Sequence, residues 1–415
     1  MPADLSLLWA YAWARAAGWM RPVRLAPAEA RTDQPLPPGI SVVIPSRNGR
    51  ELLAAQLPGT AQDLEGIPGE IMVVDNGSGD GTAGWLAAEW PHVEVQVSPE
   101  PLGFARAVNR GLARARYAHV CLLNNDMLTE PGFFAALRGA FDEVPDLFCA
   151  TAQIRFPAGV RREETGKAVM RQDAPEDFPI RCDVPVEGED LTWVLYGSGG
   201  CSLYDAQKLR ELGGLDEAYD PAYVEDLDLG YRAWLRGWPS VYVAGAVVEH
   251  RHRATTSRYY SERQLAELVE INYLKFLARA VASPKVFRHL WAQALGRLRA
   301  NRDEVLRQAA AIARQGGPPP AGAETEELLL ALTNGSVACF PGRAPMAAQP
   351  KVVASQSLCN AGAGSILVAM VDRLQTPPPE ILEAYALVVL VWRGSATPES
   401  SFRAALEQSR RRARL

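Results

Sequence analysis

Short runs of apolar, β-branched residues alternate with amphipathic stretches along the first third of the chain. Ser41 to Ile44 (SVVI), Ile71 to Val74, Val93 to Val97 and Val120 to Leu123 read as four strands, the first of them a continuous apolar run. Continuous runs of this kind mark strands buried on both faces. Pro45 ends the first. Asp75 and the turn-rich Asn76-Gly77-Ser78-Gly79-Asp80-Gly81 follow the second, and Asn124-Asn125-Asp126 follows the fourth. Between the runs, helices are expected near Arg50 to Gln62, around Trp85 and Leu86, and over Phe104 to Arg116. The alternation predicts an α/β fold, a mostly parallel sheet with helices on both faces. Ligands of such sheets bind beyond the carboxyl ends of the strands. Asp75 and Asp126 should therefore point into one crevice.

Residues 127–195 mix charged, apolar and proline positions and read as a region with long loops. Regularity returns at Tyr196-Gly197-Ser198-Gly199-Gly200-Cys201. A helix over Asp205 to Leu212 follows, closed by Gly213 and Gly214 as a left-handed cap would close it. Tyr223 to Asp228 opens another helix, with Leu227, Tyr231, Trp234 and Leu235 as its buried face. Val241 to Val243 and Val247-Val248 read as two short strands before Glu249-His250-Arg251-His252. Residues 258–315 read as helices broken near Ser283-Pro284, and Gly316-Gly317-Pro318-Pro319-Pro320 as a linker. Val352-Val353, Ile366 to Met370 and Leu387 to Val391 suggest a small strand-helix-strand module that carries no evident chemistry. The expected organisation is an N-terminal helix and linker (1–38), a main domain (39–257), a helical extension (258–315) and a linker with a small C-terminal α/β module (316–415).

The apolar stretch Leu5 to Met20 is too short, and too interrupted by Arg15, to span a bilayer, which takes about 20 apolar residues. Leu5, Leu8, Ala12, Ala16 and Trp19 repeat at helical spacing. That helix either packs on its own domain or lies at a membrane surface with Trp9, Trp13 and Trp19 at the interface. Composition narrows the class further. The 415 residues are 48% hydrophobic and 22% charged, enough for a sizeable core. A net charge of -5 argues against a nucleic-acid partner. The terminal basic run Arg410 to Arg414 reads as a solvated tail. Six scattered cysteines without a CxxC pair fit a reducing, cytoplasmic setting and no structural zinc.

Four groups carry candidate chemistry. Asp126 ends a buried strand and offers an oxygen ligand suited to Mg2+ or Mn2+. Asn124 and Asn125 would orient it or bind phosphate oxygens, unless the three residues only make a polar turn. Asp75 could accept the imide hydrogen of a uracil or thymine ring, or satisfy an Asx turn at Asn76-Gly77. Glu225, Asp226 and Asp228 crowd the start of a helix. Capping explains acids there, but mutual repulsion would also raise a pKa as a general base requires. Asp226 is the expected base, with Glu225 or Asp228 holding it or the acceptor. His250 is a candidate metal ligand, and Arg251, Arg253 and Arg258 suit a diphosphate. Gly197, Gly199 and Gly200 allow close backbone approach to a ligand. Neither GxGxxG nor GxxxxGK[ST] is present, which removes the usual support for dehydrogenase and P-loop readings.

Seven strings in this order resemble the family 2 glycosyltransferases of GT-A fold, particularly the rhamnosyltransferase-like branch. They are SVVIPSRNG from Ser41, IMVVDNGSGDGT from Ile71, LGFARAVNRGL from Leu102, VCLLNNDM from Val120, GSGGCSLYDAQKLRELGGLDE from Gly197, YVEDLDLGYRAWLRGW from Tyr223 and VVEHRHRATTS from Val247. The resemblance implies a nucleotide-sugar donor, a glycan or lipid-linked acceptor, a divalent metal and inversion at the anomeric carbon. By the same resemblance Pro45, Ser46 and Asn48 line the nucleotide site, Asp75 contacts the base, and Arg106 and Asn109 lie along the donor loop. Asp126 closes a DxD-type motif, Asp226 is the base, and His250 is a third group at the metal or diphosphate. Asn124 stands where a first Asp often does, which weakens the metal site. The absence of a QxxRW-type string argues against a processive synthase. Two other classes share the sheet architecture, a non-catalytic sugar-nucleotide-binding module and a sugar-nucleotide pyrophosphorylase. The second lacks support because Pro45-Ser46-Arg47-Asn48-Gly49 replaces its Gly-rich signature.

Overall fold

The computed structural model describes residues 35–157, 168–169, 181–182, 190–251, 258–280, 337–345, 352–355, 357–358, 366–371 and 377–392. The expected N-terminal helix over Leu5 to Met20, the break at Ser283-Pro284, the linker Gly316 to Pro320 and the basic run Arg410 to Arg414 lie outside the described residues.

The four expected strands form at the centre and one edge of a single sheet, and the edge strand is only partly buried, with Val97 53% exposed. They are β1 (Ile40–Ser46), β2 (Gly69–Asn76), β3 (Glu94–Ser98) and β4 (His119–Leu123). All four are parallel, in the order β3-β2-β1-β4. Helices α1 (Arg50–Asp63), α2 (Thr82–Glu89) and α3 (Phe104–Leu112) connect them. Pro45 does not end β1, as expected, but lies inside it, opposite Val74. Pairing with β4 stops at Val43, so the missing Pro45 donor falls where β1 has only one neighbour. Helix α3 stops at Leu112, four residues short of the expected end. Its Gly111 lies so close to β1 that a Cβ would overlap the Val43 side chain.

The region expected to be mostly loop holds regular structure. It contains β5 (Met127–Thr129), α4 (Phe133–Glu143) and β6 (Cys149–Arg155), then two residue pairs, β7 (Ala168–Val169) and β8 (Arg181–Cys182), that form their own small ladder. Asp63 caps α4 from afar, because its carboxylate accepts the Gly132 and Phe134 amides. After β9 (Trp193–Val194) come β10 (Cys201–Asp205), α5 (Ala206–Glu211), a 3-10 turn at Glu217–Tyr219, α6 (Glu225–Leu235) and β11 (Ser240–His250). The sheet continues β4-β10-β6-β11-β5, with β9 also on β11. β10 runs antiparallel to both neighbours, and β5 antiparallel to β11. The sheet is therefore mixed, with its parallel half at the β1–β4 end.

β11 corrects the expectation of two short strands. It is one strand whose pairing with β6 slips between Val243 and Val247. The irregularity spans Ala244-Gly245-Ala246, where the β-branched run breaks. Its backbone groups find side-chain partners: Asp190 Oδ1 accepts the Ala244 amide at 2.8 Å, and Gln153 Nε2 donates to the Ala244 carbonyl at 3.2 Å. Burial raises the Asp190 pKa, with the amide bond opposing it.

Helix α7 (Glu262–Ala280) packs on α6, where Tyr231 meets Phe276 edge to face at 5.5 Å. The C-terminal strands are β12 (Val337–Pro341), β13 (Val352–Ser355), β14 (Ile366–Val371) and β15 (Leu387–Trp392), with α8 (Pro379–Ala384) before the last. They form a separate sheet, β12-β15-β14-β13. Ile366, Leu387 and Val389 join the buried cluster that also holds Leu137 and Val243, while Leu367, Val388 and Leu390 pack with Ile381 and Tyr385 of the α8 side. The second sheet is thus buried on both faces, one of them against the main core.

Candidate active site

The in-register parallel pairing brings the carboxyl ends of β1, β2 and β4 side by side, with Ser46 opposite Asp75. Asp75 is 2% exposed, and its Oδ1 accepts the amide of Ser78 at 3.2 Å, one residue beyond the Asn76-Gly77 turn expected for it. The loops after β1 and β2 are stitched together. Asn48 donates its amide to Ser78 Oγ at 2.8 Å, and its Oδ1 accepts the Gly79 amide at 2.8 Å. Residues 258–260 return across this loop. Tyr259 Oη accepts from Asn48 Nδ2 at 2.7 Å, Arg258 donates to the Asn48 carbonyl at 2.6 Å, and the Arg47 guanidinium lies 4.0 Å from the Tyr259 ring centre.

The Asn124-Asn125-Asp126 turn is locked from two sides. Buried Asn125 donates to Ser46 Oγ at 2.9 Å. Gly49 sits against that pair, and a Cβ there would overlap both partners. On the other side Gln56 of α1 donates to the carbonyls of Asn124 at 2.5 Å and Met127 at 2.8 Å. Sequence reasoning missed Gln56, because it occupies an apparently apolar slot of an amphipathic helix. Asp126 is 7% exposed, and its Oδ2 lies 3.5 Å from His250 Nε2. β11 pairs His250 with Met127, and Arg251 donates its amide to the Asp126 carbonyl at 2.9 Å, so two chain segments 124 residues apart meet at this point. Among the described residues no group of three or more His, Cys, Asp or Glu side chains forms a metal cluster.

The glycine loop joins this turn to the acids of α6. Gly200 accepts the Asn124 amide at 2.9 Å, and the Gly199 amide donates to Asp226 Oδ2 at 3.3 Å. A Cβ on Gly200 would sit 2.6 Å from Asn124 Nδ2. Asp126, His250, Asn124, Gly199, Gly200 and Asp226 are therefore joined through one run of chain and contacts.

The three acids of α6 have different fates. Tyr223 and Val224, which precede them, are held at φ 76 and 78, a left-handed conformation that is costly for a β-branched residue. Asp226 is half-buried, whereas Glu225 and Asp228 are 5% and 1% exposed. Both carboxylate oxygens of Asp228 are engaged within the fold. Its Oδ1 accepts from Tyr219 Oη at 3.0 Å and its Oδ2 from Arg232 Nε at 2.7 Å. Arg232 continues to the carbonyls of Leu212 and Gly214, tying α6 to the end of α5. Glu225 Oε2 is buried without a hydrogen-bond partner. Burial raises the Glu225 pKa well above its ordinary value, and the charges of Asp226 and Asp228 add to this.

A stability consequence follows from Glu225. A carboxyl whose folded-state pKa is raised stabilises the protein fully below its unfolded pKa, and that contribution falls as pH rises through the folded pKa. Glu225→Gln removes the titration. The variant should match the parent in melting temperature near pH 4.5 and exceed it increasingly toward pH 8, in a thermal-unfolding series across pH. A constant difference at every pH contradicts a protonated Glu225.

Two other expected donor residues are also committed elsewhere. Asn109 accepts the Leu215 amide at 3.0 Å and donates to the Leu215 carbonyl at 2.9 Å, so it clamps the chain after α5. Arg106 forms a half-exposed ion pair with Glu217 at 3.2 Å. Both side chains lie on one face of α3 and hold the 214–217 segment.

Residues 37–267, more than half of the chain, match the family model described as glycosyltransferase-like family 2. The chain belongs to this family. As a family 2 glycosyltransferase it is an enzyme, and its main sheet is that of the GT-A fold. It is 29% identical over 217 residues to the N-acetylglucosaminyl-diphospho-decaprenol L-rhamnosyltransferase of Mycobacterium tuberculosis, a match covering 46% of this chain and 69% of that enzyme. It is 26% identical over 227 residues to the probable glucomannan 4-beta-mannosyltransferase 3 of Oryza sativa subsp. japonica, covering 51% of this chain and 39% of that one. Among solved structures, GalNAc-T7 with UDP, GalNAc and Mn2+ aligns at a TM-score of 0.49 and 16% identity. That alignment covers 68% of this chain and 55% of the other, so the glycosyltransferase spans about half the length of that structure. No helix among its described residues is long and apolar enough to cross a membrane.

Proposed function

We propose that this glycosyltransferase moves a sugar from a UDP- or dTDP-sugar to a hydroxyl of a glycan or lipid-linked acceptor in cell-surface glycan assembly, by a single inverting displacement. The observation that carries the reading is the placement of Asp226. It is the half-buried acid of the three, and Gly199 and Gly200 link it to the turn that bears Asp126. Asp226 takes the proton of the acceptor hydroxyl as that oxygen attacks the anomeric carbon. The bond from this carbon to the diphosphate oxygen breaks, and the nucleoside diphosphate leaves. Asp75 keeps one carboxylate oxygen beyond its bond to the Ser78 amide to accept a pyrimidine imide hydrogen, with Pro45, Ser46 and Asn48 beside it. The mycobacterial relative, an N-acetylglucosaminyl-diphospho-decaprenol L-rhamnosyltransferase, supports the acceptor class.

Asp126 and His250 fit a divalent ion. Adjacent ligands of an octahedral ion with bonds near 2.1 Å lie about 3 Å apart, and their facing atoms are 3.5 Å apart. Asp126 and His250 would hold such an ion beside the donor's diphosphate. A bound Mg2+ or Mn2+ supplies positive charge against the leaving diphosphate. Removing either ligand, as Asp126→Ala or His250→Ala, should raise the half-saturating Mn2+ concentration by about tenfold or more. Activity titrated with Mn2+ checks this, and unchanged saturation would remove the pair from metal binding.

The direct test of the reaction follows nucleotide release from UDP- and dTDP-sugars with Mn2+ or Mg2+ and a polyprenyl-diphosphate-linked glycan. The expected result is acceptor-dependent release of one nucleoside diphosphate. Absence of release from every donor of both classes contradicts the proposal.

A further inference from the structure

The segment in front of Asp226 is held by a residue that lies beyond the family-matched part of the chain. Asn272 sits on α7, five residues past the matched range 37–267, and is 1% exposed. Its Nδ2 donates to three backbone carbonyls, those of Tyr219 at 2.7 Å, Ala222 at 2.8 Å and Tyr223 at 3.1 Å. Its Oδ1 accepts from Lys275 Nζ at 2.9 Å, and the same ammonium donates to the Ala218 carbonyl at 2.9 Å. One side chain thus gathers the carbonyls of residues 219–223, and a second extends the grip to 218.

This loop is where the backbone is strained. Tyr223 and Val224 adopt left-handed conformations immediately before Glu225 and Asp226. Such conformations cost on the order of 1–3 kcal/mol each and persist only where the surroundings over-determine them. No side-chain bond caps the start of α6 at Val224. The same loop reaches the donor side of the cleft, because the Pro221 carbonyl accepts the Phe104 amide that begins α3 at 2.7 Å. A side chain that binds three consecutive-turn carbonyls from another helix is the constraint that the strained residues need. In an otherwise apolar α6–α7 contact made by Tyr231, Tyr273 and Phe276, a fully buried amide has no packing advantage over leucine.

We propose that Asn272 is a positioning residue of the transfer reaction: by binding the carbonyls of Tyr219, Ala222 and Tyr223 it fixes the strained turn that aims Asp226 at the acceptor hydroxyl. It touches neither donor nor acceptor. Its loss should therefore act on the chemical step and leave donor binding in place, since a displacement of about 1 Å at a reacting group costs up to 100-fold. The inference rests on Asp226 as the base.

The experiment compares the parent with Asn272→Ala, Asn272→Asp and Asp226→Asn, reading melting temperature, kcat and KM for the sugar nucleotide. Asn272→Asp keeps the size but sets a carboxylate against three carbonyl oxygens. Both Asn272 variants should lower kcat tenfold or more with donor KM within about twofold, Asp more than Ala. Lys275→Met, at the outer end of the network, should lower kcat in the same direction by less. Folded Asn272 variants with parental kcat overturn the proposal, and so does loss of folding in both, which would make Asn272 a folding residue only. If Asp226→Asn keeps parental kcat, the assignment of the base fails first. If Asp226→Asn is inactive and the Asn272 variants are not impaired, this inference alone fails.

Discussion

Asp226→Asn should abolish sugar transfer while leaving a folded protein that still binds its donor. Asparagine keeps the shape and can still meet the Gly199 amide through its oxygen, but it cannot take a proton at neutral pH. General-base catalysis contributes roughly 100- to 10,000-fold, so kcat should fall by about that factor with donor KM little changed. The flanking acids do not substitute. Asp228 has both oxygens engaged, by Tyr219 and Arg232. Glu225 is buried, and that burial together with the charges of Asp226 and Asp228 raises its pKa, which disfavours the ionised form a base needs. Steady-state kinetics of the purified variant read the result. A loss confined to KM would mean that Asp226 binds the donor and does not act in the displacement.

Arg232→Met should be the most destabilising single change near the site. Arg232 is 6% exposed and satisfies Asp228 and two carbonyls at once. Methionine fills the volume but leaves the Asp228 carboxylate buried with only the Tyr219 hydroxyl. Breaking a buried pair by removing one partner costs about 3–5 kcal/mol, which for a protein of this size is a fall of roughly 5 °C in melting temperature. Asp228→Asn in the Arg232→Met background should recover part of the loss, because it removes the stranded charge. A double variant no more stable than Arg232→Met would show that the charge is not what destabilises.

Strands β1, β2 and β4 were legible because they are buried and read as unbroken apolar runs, whereas the edge strand β3 alternates and leaves Val97 53% exposed. The carboxyl-end positions of Asp75 and Asp126 followed from that. What stayed hidden depends on pairing between distant segments. Nothing local marks β10 as antiparallel, since Cys201–Asp205 is as buried as the mutually parallel strands β1 and β4. β11 read as two strands because Ala244-Gly245-Ala246 interrupts the pattern, and the partners that heal the break, Asp190 and Gln153, are 54 and 91 residues away. The acid cluster of α6 was visible, but its division of labour was not. Asp228 is taken by an arginine one helical turn on, a contact that spacing allows and only packing decides. Gln56, Asn109 and Asn272 were illegible as clamps for the same reason: each is a polar residue on a helix whose partners are backbone groups of remote loops.

The anomeric configuration of the product tests the proposed displacement most directly. With a donor of known anomeric configuration and an accepted hydroxyl, proton NMR of the purified product gives the configuration of the new bond from its anomeric coupling. A base at Asp226 with no nucleophile of its own bonded to the sugar predicts the opposite configuration from that of the donor. A product that retains the donor's configuration would contradict single displacement and the role given to Asp226.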